Sequence, residues 1–343
     1  MAFKKIFKGR ALYVDHDTIW VAKGLCFYSI DFNGQRTSPK YNVGSIVEKF
    51  IGSYRLTRQL LRVGIHHLLL LVDGSFLVAL KKRIVIMSPD GMIKNIFTDF
   101  QGNKPAHRGM CVTPEGSIFL GEYTLNMDRK NTSSLYRSKD NGQTFECLKT
   151  FQPDEIRHIH FIQWDTYDNC LWLGTGDRDE ESKLYRSYDN GDTFELIGEG
   201  NQLWRAVGVS FTEESLYWGT DAGSDAGTHP NYVIKMDRQT HQLEKILEVE
   251  GPCHGNAVLG DGTVYVSTGI EGGENEKDRA AHLWRKKGKD FEHILKQEKD
   301  IFPHILQYGV MRFPLGLQST NTAVFTTYGL KRFGEDVLVE DGK

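Results

Sequence analysis

Short apolar runs separated by polar, glycine-rich turns fill the chain from end to end, and helical periodicity is nowhere evident. The runs come in pairs. Gly109–Val112 is followed by Ser117–Glu122, Ile156–Trp164 by Leu171–Gly174, Ala206–Phe211 by Leu216–Thr220, and Ala257–Leu259 by Thr263–Thr268. Each is short enough for a strand, and each pair is broken by turn residues.

Behind two of these pairs stands a nearly identical hairpin. Leu135-Tyr136-Arg137-Ser138-Lys139-Asp140-Asn141-Gly142-Gln143-Thr144-Phe145-Glu146 recurs as Leu184-Tyr185-Arg186-Ser187-Tyr188-Asp189-Asn190-Gly191-Asp192-Thr193-Phe194-Glu195, an offset of 187 − 138 = 49 residues. Asn-Gly between alternating apolar positions is the strongest short-range hairpin signal. Weaker copies lie at Phe27–Gly34, Ile86–Gly91 and Leu283–Phe291. Each unit therefore reads as four antiparallel strands, here A to D, with the Ser-x-Asp-x-Gly turn between C and D.

Units begin near Ala11, Gly64, Arg108, His158, Arg205, His254 and Gly309. The last runs out of chain after three strands, and Phe3–Phe7 is a strand without a partner. Supplying it as the missing outer strand closes a ring and removes an edge. The expectation is one all-β domain over 1–343, a seven-bladed β-propeller of four-stranded blades, with six blades as the alternative.

Composition narrows the setting. Lys+Arg 42 against Asp+Glu 45 gives a net charge of -3, which offers no basic field for nucleic acid. The longest apolar run, Leu68–Val72, is too short to span a membrane. Five scattered cysteines without CxxC spacing argue against a disulfide framework or structural zinc. No apolar segment follows the basic N-terminus as in a signal peptide. A reduced, cytoplasmic protein is expected, with no nucleic-acid or membrane partner.

The Ser-x-Asp-x-Gly-x-Thr-aromatic segments at Ser138–Phe145 and Ser187–Phe194 resemble the Asp-box of the BNR-repeat, sialidase-like propellers, with Phe where that family often has Trp. The resemblance implies a propeller fold and a ligand site over the central channel, where A strands begin and B strands end. The boxes themselves read as self-bonded turns on the outer hairpin. The sialidase subtype is set aside: its arginine motif stands near the N-terminus, whereas Met311-Arg312-Phe313-Pro314 falls in the last unit.

At the starts of the A strands stand His107 and Arg108, then Arg157, His158 and His160, then Arg205, then His254. At the ends of the B strands stand Glu122, Asp177, Asp221 and Glu271, with Lys23, Lys81 and Tyr328 at the matching places of other units. Four successive units thus pair a carboxylate with His or Arg. Spacing of two puts His158 and His160 on one side of a strand. They suit a general base or, with Glu122 and Asp177, a mixed N/O metal site. The catalytic candidates are His158, His160, Asp177 and Glu122. The binding candidates are His107, Arg108, Arg157, Arg205, Asp221, His254, Glu271 and Tyr328. The cofactor stays open, a divalent metal being compatible. His66-His67 reads as structural.

Two classes of function fit. One is a carbohydrate-active enzyme, a glycoside hydrolase or polysaccharide lyase, taking an anionic or polyhydroxylated glycan at the mouth. The other is a non-catalytic propeller that binds a glycan or a protein partner. The chain lacks the WD dipeptides and kelch glycines of common scaffold propellers.

Overall fold

A computed structural model describes residues 3–52, 54–318 and 321–340. The alternating pattern becomes antiparallel meanders whose innermost strands face a common axis. Four sheets have four strands in chain order. They begin at His67–Leu70, Met110–Val112, His158–Asp165 and Ser210–Phe211, and end at Ile93–Phe97, Glu146–Phe151, Glu195–Glu199 and Leu243–Val249. A fifth, Arg10–Asp15 to Tyr41–Asn42, gains Leu315–Leu317 as a parallel neighbour of its innermost strand.

The remaining strands form one eight-stranded sheet. Cys253–Val258, Val264–Ile270, Ala280–Lys287 and Asp290–Glu298 run as a meander. The end of Val264–Ile270 also pairs with Gly309–Arg312, through Gly269↔Val310 and Ile270↔Gly309. From there the sheet continues through Val324–Tyr328 and Asp336–Glu340 to the N-terminal strand Phe3–Lys8. The molecule is an all-β propeller, but it has five discrete blades rather than the expected seven or six. The repeat spacing locates turns; it carries no information on the hydrogen bonds that merge the C-terminal strands.

Adjacent sheets are glued by apolar seams. Trp172 and Trp218, both fully buried, meet Phe161, Leu184 and Ile234 between the His158 and Ser210 sheets. Truncating such a tryptophan costs about 3–5 kcal/mol.

The absence of α-helix expected from the sequence fails at one place. Ile46–Ile51 and Arg55–Leu61 are short helices, the first opened by a Ser45–Glu48 capping box. Neither buries a residue: Ile46, Val47, Phe50, Leu56 and Leu60 are exposed. With no face turned to the core, they carry none of the patterning that reveals a helix. Ion pairs moor the second helix, Arg55 to Asp300 and Arg58 to Glu335.

Candidate functional site at the channel mouth

The innermost strands begin at the same end of the propeller; Arg10–Asp15 bulges there at Leu12, and two others bulge at a histidine. In the His158 sheet the pairing steps from Ile159↔Thr175 to Phe161↔Gly174, leaving His160 as the extra residue. In the Cys253 strand it steps from Cys253↔Thr268 to Gly255↔Ser267, leaving His254 extra. Bulges re-aim side chains, and here both aim an imidazole at a glycine of the neighbouring strand. A Cβ on Gly176 would lie 2.3 Å from His160 Cε1, and one on Gly269 2.1 Å from His254 Cδ2. The Thr-Gly steps that end strand B are therefore seats for histidine.

Asp177 is the hub of one cluster. Its Oδ1 lies 2.8 Å from His160 Nε2, 3.5 Å from His158 Nε2 and 3.1 Å from Arg205 Nη2, and its Oδ2 pairs with Arg157. Burial would raise this carboxyl. The contacts with His158 and His160 and the charge of Arg205 instead hold it well below the usual carboxylate range. Asp225 joins by contacting Arg205 at 3.0 Å and Arg157 at 3.6 Å. Both arginines are thus paired with carboxylates, while Arg205 Nε keeps no hydrogen-bond partner.

His158 differs from its neighbour. Its Nδ1 donates to Thr124 O at 2.7 Å, which leaves Nε2 with the lone pair and without a hydrogen-bond partner. Burial lowers its pKa. The Tyr123 ring packs on it at 4.0 Å, yet Tyr123 is 39% exposed. Burial and the charges of Asp177, Asp221 and Glu271 raise the Tyr123 phenol and keep it protonated.

The second cluster is Asp221, His254 and Glu271. His254 Nε2 lies 2.9 Å from Glu271 Oε1, and Asp221 Oδ2 lies 3.8 Å from Arg205 Nε. Burial, helped by the Glu271 charge, pushes Asp221 up to about 6 against the pull of Arg205 and His254. Tyr308, also 39% exposed, packs beside His254 at 5.9 Å.

The opposite side is cationic. His107 Nε2 donates to Phe313 O at 2.8 Å, and Arg108 reaches across to Asn256 O at 2.6 Å. Arg10 lies over the Tyr328 ring at 5.4 Å and pairs with Glu335. Burial lowers Lys104 to about 7, with Arg312, Arg62 and Arg10 adding repulsion. Among the described residues, Glu335 is the one carboxylate that these groups contact.

Eight of the twelve residues singled out from sequence, Arg157, His158, His160, Asp177, Arg205, Asp221, His254 and Glu271, come together. His107, Arg108 and Tyr328 line the cationic side. Glu122 stands apart, its buried carboxylate accepting from Gln101 N at 2.7 Å, Ser134 N at 2.8 Å and the Tyr136 hydroxyl at 3.1 Å. Such a carboxylate binds strands together. Sequence reasoning missed Tyr123, Lys104, Asp225 and Tyr308. Tyr123 directly follows Glu122 and was legible as a B-strand end; the other three lie in loops without a pattern.

No family model matches the chain, and no curated protein does. Solved structures do. A streptogramin B lyase aligns over 99% of this chain and 97% of its own, with TM-score 0.59 and 14% identity. An inactive histidine-to-alanine variant of virginiamycin B lyase from Staphylococcus aureus, bound to quinupristin, aligns over 99% of both chains with TM-score 0.61 and 13% identity. The Pan2 WD40 domain of Neurospora crassa aligns over 99% and 90%, with TM-score 0.57 and 10% identity. These neighbours are β-propellers, and they include lyases. At such identities the likeness establishes the fold.

Proposed function

We propose that the mouth binds an anionic, polyhydroxylated glycan and cleaves it by lyase-type elimination, with His158 as the general base. The observation that carries this reading is the His158 imidazole: neutral, oriented by Thr124 and left with a free lone pair. His158 takes the proton on the carbon beside the substrate carboxylate. The electron pair forms a carbon–carbon double bond as the bond to the leaving sugar oxygen breaks. The Tyr123 phenol protonates that oxygen. The two half-exposed tyrosines offer stacking faces for sugar rings, and Lys104 and Arg312 offer positive charge to the acidic groups of the glycan. Two Asp-box turns support placement among the BNR-repeat propellers, and the five free cysteines suit a reducing compartment.

The test is ultraviolet detection of an unsaturated product from uronate-containing oligosaccharides. His158→Ala should lower turnover at least a hundredfold with an unchanged circular dichroism spectrum. Neither binding nor turnover on uronate, sialyl and neutral glycans, with and without divalent metals, would overturn the reading. A second reading, a propeller that docks a protein, draws on the exposed apolar side chains of the two helices. A captured partner that competes for the mouth and is lost on Arg205→Glu would favour it.

A further inference from the structure

Three groups of side chains bring possible metal-ligand atoms together within 4.8 Å: His158–His160–Asp177, Asp165–Asp168–Cys170, and Asp221–His254–Glu271. They differ in what already occupies their lone pairs. Asp177 is taken by His160, Arg157 and Arg205. Asp165 and Asp168 are taken by Arg238, at 2.5 and 2.6 Å. In the third group two donor atoms are left over. Asp221 Oδ1 has no hydrogen-bond partner, and neither has His254 Nε2, which is near Glu271 Oε1 but off its hydrogen-bond direction.

These residues are 8% and 9% exposed, so the unpartnered atoms are desolvated without compensation. Glycine surrounds the trio where any side chain would fill it. A Cβ on Gly269 would meet His254, and one on Gly223 would come 2.6 Å from Glu271 Oε2. Two carboxylates and one imidazole, brought together with idle lone pairs, form the donor set of a borderline first-row cation.

We propose that Asp221, His254 and Glu271 bind one divalent transition-metal ion, of the Mn2+ or Zn2+ class, at the channel mouth. Each supplies a single ligand atom, and the half-exposed Tyr308 side leaves room for water or substrate in the remaining positions. The site stands on its own donor geometry, apart from the glycan reading, and its test contains no sugar.

Chelator-treated full-length protein is titrated calorimetrically with Mn2+ alone and, separately, with Zn2+ alone. The expected result is one ion per chain, with Asp221→Asn and Glu271→Gln each weakening binding at least tenfold. His160→Ala should leave binding unchanged. Should a variant fold poorly, wild-type protein still decides the matter: bound Mn2+ must broaden the His254 imidazole resonances selectively. No binding of either ion, binding indifferent to both carboxylate variants, or loss only in His160→Ala would each overturn the assignment.

Discussion

His160 Nε2 sits 2.8 Å from Asp177 Oδ1 while its Nδ1 sits 3.1 Å from Ala206 O, so both ring nitrogens face oxygen acceptors. The contact exists because His160 occupies a bulge and Gly176, the pairing partner of His158, has no side chain where the His160 ring lies. Gly176→Ala should therefore displace the imidazole rather than unfold the protein. The expected outcome is a melting temperature lower by several degrees, corresponding to about 1–3 kcal/mol of overpacking, together with loss of mouth activity. Retained activity would mean that the His160–Asp177 contact does not organise the site.

Asp177→Asn removes the charge on which Arg157, Arg205 and both histidines converge. Breaking a buried pair from one side costs about 3–5 kcal/mol, and denaturant unfolding should register a loss of that order. The pH dependence follows from the depressed carboxyl. Its stabilisation is present above the ordinary aspartate range and is lost as pH falls through the lower folded value. Acid unfolding of the wild type should therefore be steeper than that of Asp177→Asn.

Lys104 gives a slope of the same sign at higher pH. Its folded pKa, lowered to about 7, lies below that of the unfolded chain. Between about 7 and 10.5 the unfolded state binds more protons, so stability rises with pH across that window. Lys104→Met should flatten the rise. An anion held by this side favours the charged amine, so affinity for an acidic oligosaccharide should fall as pH climbs through 7. A pH-independent affinity would place the carboxylate elsewhere.

How much of this was legible depends on what each residue does. The 49-residue echo of Ser138 at Ser187 is a turn requirement and reads straight off the chain, as do polar residues at strand ends such as Asp177 and Glu271. The five-blade count was not legible, because Gly269↔Val310 and Ile270↔Gly309 are backbone pairs set by tertiary approach. Period two predicts that His158 and His160 share a side, but the structure brings them together through a bulge, which alternation does not encode. Glu122 and Asp177 look equivalent in sequence. Two backbone amides and a tyrosine claim the first, and His160, Arg157 and Arg205 the second, a difference that only the surrounding loops decide.

The last prediction concerns Asp140 and Asp189. Asp140 accepts from Thr144 N at 2.9 Å, Thr144 Oγ1 at 2.6 Å and Ser138 Oγ at 2.8 Å; Asp189 repeats this with Thr193 and Ser187 at 2.8, 2.6 and 2.8 Å. Each serine hydroxyl in turn accepts from the glycine of the turn at 2.9 Å. The two boxes close the outer hairpins, and every polar atom named is used within the turn. These carboxylates are largely solvated, so their contribution is that of exposed turn hydrogen bonds. Asp140→Ala and Asp189→Ala should each lower stability by about 1–2 kcal/mol, and Arg137, which reaches from the first hairpin to Asn190 O and Asp192 of the second turn, can couple the two losses. Metal titration and oligosaccharide binding should be unchanged in both. A variant with wild-type melting behaviour but impaired binding would show that the boxes face the ligand, and the site would then have to be sought on the outer hairpins.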